Sequence, residues 1–345
     1  MIYRRNKNIP QFEYVLTEEQ SKGQSQDQWQ LATYRYPSSK KKHPVILIHG
    51  FGTNRFDVDF PEKRYSLAKY LHAQGYDTWV IELRGTGQSR RTSLLGQLKS
   101  KFHYDWTFDD HIFKDIPVLV KWIQKKTGQK KLHWIGHSLG GTVVYASIET
   151  LGNEVCASAV TLGSAMNSTA KIGLIHLLLK IDPLVKKLPF IPLKTLAHTL
   201  APAGRWMAPL EDNFFYAIDN VDMKIIEVAL RQAVENISPA LFLQMHDWYR
   251  NNHFRAHDRP FSYRDNLKKI KAPFLVCAGS VDGLTGYPDV YFGFKNISSK
   301  KKKFLLFGKE KGYRTEYGHL DLVLGKNAPR EVFPQVLNWL NQNDH

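Results

Sequence analysis

One stretch constrains the fold of this chain more than any other: Trp134-Ile135-Gly136-His137-Ser138-Leu139-Gly140-Gly141. Residues 131–135 read as a short strand and the apolar stretch 142–148 as a helix, so Ser138 falls in the turn between them. A strand that becomes a helix through so few residues must turn sharply. Small residues at Gly136 and Gly140 let the two backbones approach, and the serine hydroxyl is held outward at the tip of the sheet, the setting that the pattern Gly-x-Ser-x-Gly requires. The Leu139 amide then lies at a helix N-terminus, where unpaired N–H groups favour developing negative charge. Ser138 is thus a candidate nucleophile and Leu139 a candidate oxyanion donor. The bland alternative is a glycine-rich turn without chemistry.

Residues 45–48 form a continuous apolar run, expected of a strand covered on both faces, and empty into His49-Gly50-Phe51-Gly52. A glycine-rich turn at the carboxyl end of a parallel strand is where open α/β sheets place ligands, and the Phe51 amide is the candidate second oxyanion donor. The loop lacks the terminal Lys-Ser/Thr of a phosphate-binding loop. Residues 62–74 read as a helix closed by Gly75, 78–81 as a strand, and 106–126 as a helix. Asp109, Asp110 and Asp115, in the first turns of that helix, read as capping and surface residues. Arg84, in the loop 82–89, reads as structural, paired with a carboxylate. With 156–162 as a further strand, strands and helices alternate from residue 45 to about 163, which specifies a parallel sheet. Before it, the alternation at Phe12, Tyr14 and Leu16 and again over 28–36 predicts an antiparallel hairpin.

The rhythm then breaks. Between 165 and 264 no strand is expected; helix-like pieces such as 172–179 and 225–234 are separated by prolines, and the stretch is rich in apolar and aromatic residues, among them Leu177, Leu178, Trp206 and Trp248. It has the character of a helical cap, or of a helical subdomain with its own core. The chain accordingly divides into an N-terminal core part, 1–164, a helical cap, 165–264, and a C-terminal core part, 265–345.

A serine hydroxyl needs a base to take its proton, and the base needs an orienting acid. Residues 274–278 read as a strand whose carboxyl-end loop carries Asp282, and 304–307 as the last strand, with His319 in the loop beyond it. Both are delivered to the sheet edge that carries Ser138. The order Ser138, Asp282, His319 is one of the known chain orders of a serine–acid–histidine triad. Asp289 and Asp321 are alternative acids.

Lys plus Arg exceed Asp plus Glu by 16, a surplus that favours anionic partners such as phospholipid surfaces. The basic runs, including 40–42, 125–126, 268–269 and 300–303, read as solvated loop faces, and with no zinc-finger, RRM or helix-turn-helix pattern no specific nucleic acid is expected. Cys156 and Cys277 lie in apolar runs, which argues against a disulfide framework. His43, His49, His133 and His137 form no metal set, and neither metal nor cofactor is expected. The polar start, 1–14, has no apolar signal core, and no stretch reaches the ~18 apolar residues of a membrane span. The expected location is cytoplasmic, with peripheral contact to anionic membrane.

From about residue 43 to the C-terminus the chain resembles the α/β-hydrolase superfamily. Ser66-Leu67-Ala68, Gly75-Tyr76-Asp77-Thr78-Trp79-Val80, Arg84-Gly85, Ser89-Arg90, Phe108-Asp109-Asp110, Asp115 and Pro117, and Lys126-Thr127-Gly128 resemble its acid-lipase branch. So do His319-Leu320-Asp321 with Ala328-Pro329 and Val332. The same region is similar to polyhydroxyalkanoate synthases, whose nucleophile is Cys where this chain has Ser138; acid lipases usually carry Gln where Leu139 stands. The resemblance implies an α/β-hydrolase fold, a mostly parallel central sheet flanked by helices with a helical cap insertion. It also implies a serine hydrolase that cleaves a carboxylic ester, with a hydrophobic acyl or lipid ester as substrate. Two readings stand beside that one: an acyltransferase using the same acyl-enzyme, and a binding protein that kept the fold.

Overall fold

The computed structural model describes residues 9–17, 28–93, 95–98, 104–169, 185–203 and 212–344. The helical piece expected at 172–179 and Trp206 lie outside the described residues, as do the first eight residues. The hairpin is β1, Gln11–Leu16, paired antiparallel with β2, Trp29–Tyr36. There follow β3, Val45–Ile48; β4, Thr78–Ile81; the short β5, Arg90–Arg91; β6, Leu132–His137; β7, Cys156–Leu162; β8, Phe274–Gly279; and β9, Lys302–Phe307. They form one nine-stranded sheet in the order β1-β2-β4-β3-β6-β7-β8-β9, with β5 beside β2. From β4 across to β9 every pairing is parallel.

The helices named below are α1, Leu67–Ala73; α2, Ile116–Thr127; α3, Leu139–Leu151; α4, Leu193–Leu200; α5, Met223–Gln232; α6, Pro239–Asn251; α7, Tyr287–Asn296; and α8, Ala328–Asn341. Strand periodicity splits the core into two layers. In β3, Ile46 and Ile48 join the cluster beneath α2 and α3, while Val45 and Leu47 join the one beneath α1 and α8. All four are fully buried, which is why this strand reads as a continuous apolar run and not as an alternation.

β3 lies between β4 and β6, so the chain leaves it in one direction and returns on the other side. The crevice at the carboxyl ends of β3 and β6 is therefore the switch point of the sheet. It receives the loop after β3, with Phe51, and the turn after β6, with Ser138.

Three details differ from the sequence reading. Asp109 and Asp115 are buried, not surface residues. Asp115 accepts from Arg84 Nε and Nη2 at 2.9 and 2.7 Å, because burying the Arg84 charge requires a buried countercharge, and Asp109 is satisfied by hydrogen bonds from Gln244, Tyr263 and the His257 amide. Asp110 does cap, accepting from the Thr107 amide at 2.8 Å. Lys302 and Lys303 belong to β9 and not to a loop; Lys302 Nζ reaches the Phe294 and Ile297 carbonyls at 2.9 and 2.8 Å and closes the C-terminal end of α7. Helix α7 itself, opening with Pro288 in its first turn, was not assigned from sequence. Among the described residues, no helix is long and apolar enough to cross a membrane.

Between β7 and β8 the elements among the described residues are helices, and they meet the core at several places, two of which bear on the loops of the candidate site. The Asn54 amide donates to the Ala233 carbonyl at 2.9 Å and the Glu235 amide to that of Gly52 at 2.8 Å. On the other side the Leu320 amide donates to the Phe215 carbonyl at 2.7 Å, and the Ala217 amide to Asp321 Oδ2 at 2.7 Å. The first contact grips the loop after β3, and the second grips the loop that carries His319.

Candidate active site

Ser138 has φ 54° and ψ −124°, a conformation that an L-residue adopts at a cost of about 1–3 kcal/mol. The turn is forced by packing: a Cβ at Gly136 would collide with the backbone of Gly140 and Gly141, and one at Gly140 with the Ile48 and His49 carbonyls. Only glycine at both positions lets α3 start this close to β6 and β3. Ser138 is left half-buried at the sheet edge while both flanking residues are buried.

Asp282 and His319 are brought together. His319 Nδ1 lies 2.8 Å from Asp282 Oδ2, both groups buried. Asp282 also accepts from the Thr285 hydroxyl at 2.7 Å and from the Leu284 and Thr285 amides at 3.0 and 2.9 Å. Burial alone would raise its carboxyl, but the His319 charge and hydrogen bond, with those from Thr285, outweigh burial and hold it below the ordinary carboxylate value. A carboxylate with these partners accepts from Nδ1–H of His319 and leaves Nε2 as the free base. The alternative acids are engaged elsewhere: Asp289 takes Asn167 and Thr169, and Asp321 takes the Gly318 and Ala217 amides. Between Ser138 Oγ and His319 no hydrogen bond forms within 3.5 Å. Such bonds commonly tighten only when substrate is bound.

The Phe51 and Leu139 amides have no acceptor among the described residues. His49, which opens the loop of Phe51, is fixed as the neutral ring. Its Nδ1–H donates to the Gly50 carbonyl at 2.9 Å and its Nε2 accepts from the Leu83 amide at 3.3 Å, while burial pushes it down to about 4. A cavity of about 20 Å³, room for one water, adjoins this loop between Phe51, Trp106, Leu139, Ile237 and Leu241. A far larger hollow of about 1040 Å³ lies against α6 and the loop 255–262, and none of the candidate residues lines it. Among the described residues no group of histidine, cysteine and carboxylate side chains is arranged to hold a metal.

Sequence reasoning passed over Asp57 and assigned His137 no role. Asp57 Oδ1 and Oδ2 lie 3.0 and 2.9 Å from His137 Nδ1, and Oδ2 also accepts from the Gly50 amide at 2.7 Å. His137 Nε2 is 3.2 Å from the His319 carbonyl. The one available signal was a histidine inside the Gly-x-Ser-x-Gly turn, a position that burial allows only with partners on both ring nitrogens.

The sequence is 26% identical to lipase member K of Mus musculus, over 92% of this chain and 86% of that protein. It is 25% identical to the gastric triacylglycerol lipase of Bos taurus, with the same coverage. The fold is similar to a soluble variant of the monoglyceride lipase of Saccharomyces cerevisiae, with a TM-score of 0.61 at 16% identity, covering 100% of this chain and 99% of that one. The family profile described as alpha/beta hydrolase fold matches residues 43–309, and the chain belongs to that family.

Proposed function

We propose that this chain is a carboxylic ester hydrolase that works through an acyl-enzyme on Ser138, with His319 as base, Asp282 as its orienting acid, and the Phe51 and Leu139 amides as oxyanion donors. The observation that carries the reading is the buried 2.8 Å contact between His319 and Asp282, on the same sheet edge as a serine held at φ 54°. His319 Nε2 removes the Ser138 proton as Oγ bonds to the ester carbonyl carbon, and the carbonyl electrons move to the oxygen facing the two amides. Collapse expels the alcohol, which takes the proton from His319. Water, deprotonated by the same nitrogen, attacks the acyl-serine and releases the acid with Ser138 restored.

For substrate we propose a hydrophobic acyl or lipid ester. The apolar wall of Phe51, Trp106, Leu139, Ile237 and Leu241 beside the oxyanion loop supports this, as do the lipases among the relatives. The helical stretch 165–264 would act as a cap over that wall. The test is hydrolysis of p-nitrophenyl esters from acetate to palmitate by wild type and Ser138→Ala. Activity on long-chain esters that falls at least ~10⁴-fold in the variant is expected. Unchanged activity in Ser138→Ala would remove the nucleophile, and transfer to an added alcohol in preference to water would make the chain an acyltransferase.

A further inference from the structure

His137 touches only groups that accept. Asp57 presents both carboxylate oxygens to Nδ1, at 3.0 and 2.9 Å, and the His319 backbone carbonyl faces Nε2 at 3.2 Å. A neutral imidazole carries one N–H and would turn a lone pair toward one of these acceptors. Both side chains are buried away from bulk solvent, and a buried unmatched acceptor is costly. The arrangement is satisfied when both ring nitrogens donate.

We propose that Asp57 and His137 form a positioning pair, with His137 held as the imidazolium, that ties the oxyanion loop to the backbone of the catalytic base; this rests on the reading of Ser138 and His319 given above. One end of the pair is the Gly50 amide on Asp57 Oδ2, next to the Phe51 donor. The other end is the carbonyl of His319 itself. In the chain His137 immediately precedes Ser138, so one ion pair links the oxyanion loop, the nucleophile turn and the base. The link to His319 runs through its main chain, leaving its ring free to face Asp282 through Nδ1 and the substrate through Nε2. The two imidazole rings sit 4.9 Å apart at 42°.

The charged groups around His137 act in one direction. Burial lowers its tendency to hold a proton, but the Asp57 charge and hydrogen bond, the His319 carbonyl and the more distant Asp282 charge outweigh burial and raise it. Asp57 is likewise held below its ordinary value, burial being outweighed by His137, the Gly50 amide and the nearby His49. A raised histidine keeps its contribution at low and neutral pH and loses it as pH rises through the folded value. Activity should therefore fall on the alkaline side as His137 deprotonates and its bond to the His319 carbonyl is lost.

The experiment combines kinetics with nitrogen-15 spectroscopy of the histidines. A fluorophosphonate first labels Ser138 in wild type. In His137→Gln and Asp57→Asn, kcat and the labelling rate are expected to fall about 10- to 100-fold with KM little changed. An alkaline limb of kcat is expected in wild type and is expected to be absent from His137→Gln. In native wild type one histidine ring is expected to remain doubly protonated at a pH above the ordinary imidazole value of about 6.5. That last reading needs no variant to fold. A wild-type spectrum with every ring neutral at that pH overturns the proposal, as does wild-type kcat and pH profile in both variants. Wild type that fluorophosphonate does not label overturns both this proposal and the serine-hydrolase reading, so the two failures are told apart.

Discussion

The Asp282 carboxylate shows how much of the site rests on one hydroxyl. The Thr285 side chain donates to Asp282 Oδ2 at 2.7 Å while its oxygen sits 3.4 Å from His319 Nδ1, so it fixes the oxygen that meets the His319 ring. Thr285→Val removes that donor at almost constant volume. A hydrogen bond to a charged group contributes about 1.5–3 kcal/mol, so kcat is expected to drop roughly 10- to 100-fold. Because the folded Asp282 value is depressed, its contribution is present above that value and lost as pH falls through it. Weakening the depression moves the acid-side loss of activity to higher pH, and a pH–rate profile of the valine variant with an unmoved acid limb would contradict this role. At this scale Ser138, Asp282 and His319 were legible because each follows a strand the sequence announces. Thr285 was not, since a threonine three residues beyond an aspartate is an ordinary turn residue until the fold aims it. Asp57 was hidden differently: its partner lies 80 residues on, and no local pattern encodes that approach.

Elements were read well where the hydrophobic period was strong. β3 and β7 carry the expected bounds because each is buried along its whole length, and a run of that kind leaves little freedom in where the strand starts or ends. The helix expected over 106–126 is instead built in pieces, Phe108–Asp110, a π-helical turn His111–Asp115 and then α2. This wide turn brings Asp115 to Arg84, with His111 Nδ1 at 3.0 Å from Asp115 Oδ2. The acid that capping rules assign to the helix end serves instead to tie α2 to the loop after β4. Removing one partner leaves an uncompensated buried charge, so Arg84→Met is expected to cost about 3–5 kcal/mol. The check is urea unfolding: a lower midpoint at unchanged slope supports the structural role. Activity per folded molecule should stay near wild type, since Arg84 touches neither Ser138 nor the oxyanion amides; a variant that folds with full stability would refute the pairing argument.

For the molecule as a whole, an acyl pocket beside the Phe51 loop, as proposed, constrains how substrate would enter. The cavity there, about 20 Å³, holds one water and no acyl chain, so an acyl chain that enters this cavity must displace the segment carrying Ile237 and Leu241 from Phe51 and Leu139. That segment is held to the core by the Thr53–Val234 bridge and by the Asn54–Ala233 and Glu235–Gly52 backbone bonds. The bridge pair is directly opposed and antiparallel, which places the two Cα atoms within the separation a disulfide spans, about 4.4–6.8 Å. In a Thr53→Cys, Val234→Cys variant, oxidation is expected to leave hydrolysis of p-nitrophenyl acetate near wild type and to suppress that of the palmitate ester. Reduction should restore the long-chain activity. Cys156 and Cys277 are both buried and free, so neither competes for the new bond. If the oxidised variant cleaves palmitate as fast as the reduced one, the acyl chain reaches Ser138 without displacing residues 233–238, and the chain-length preference must then be set elsewhere in the helical stretch between β7 and β8.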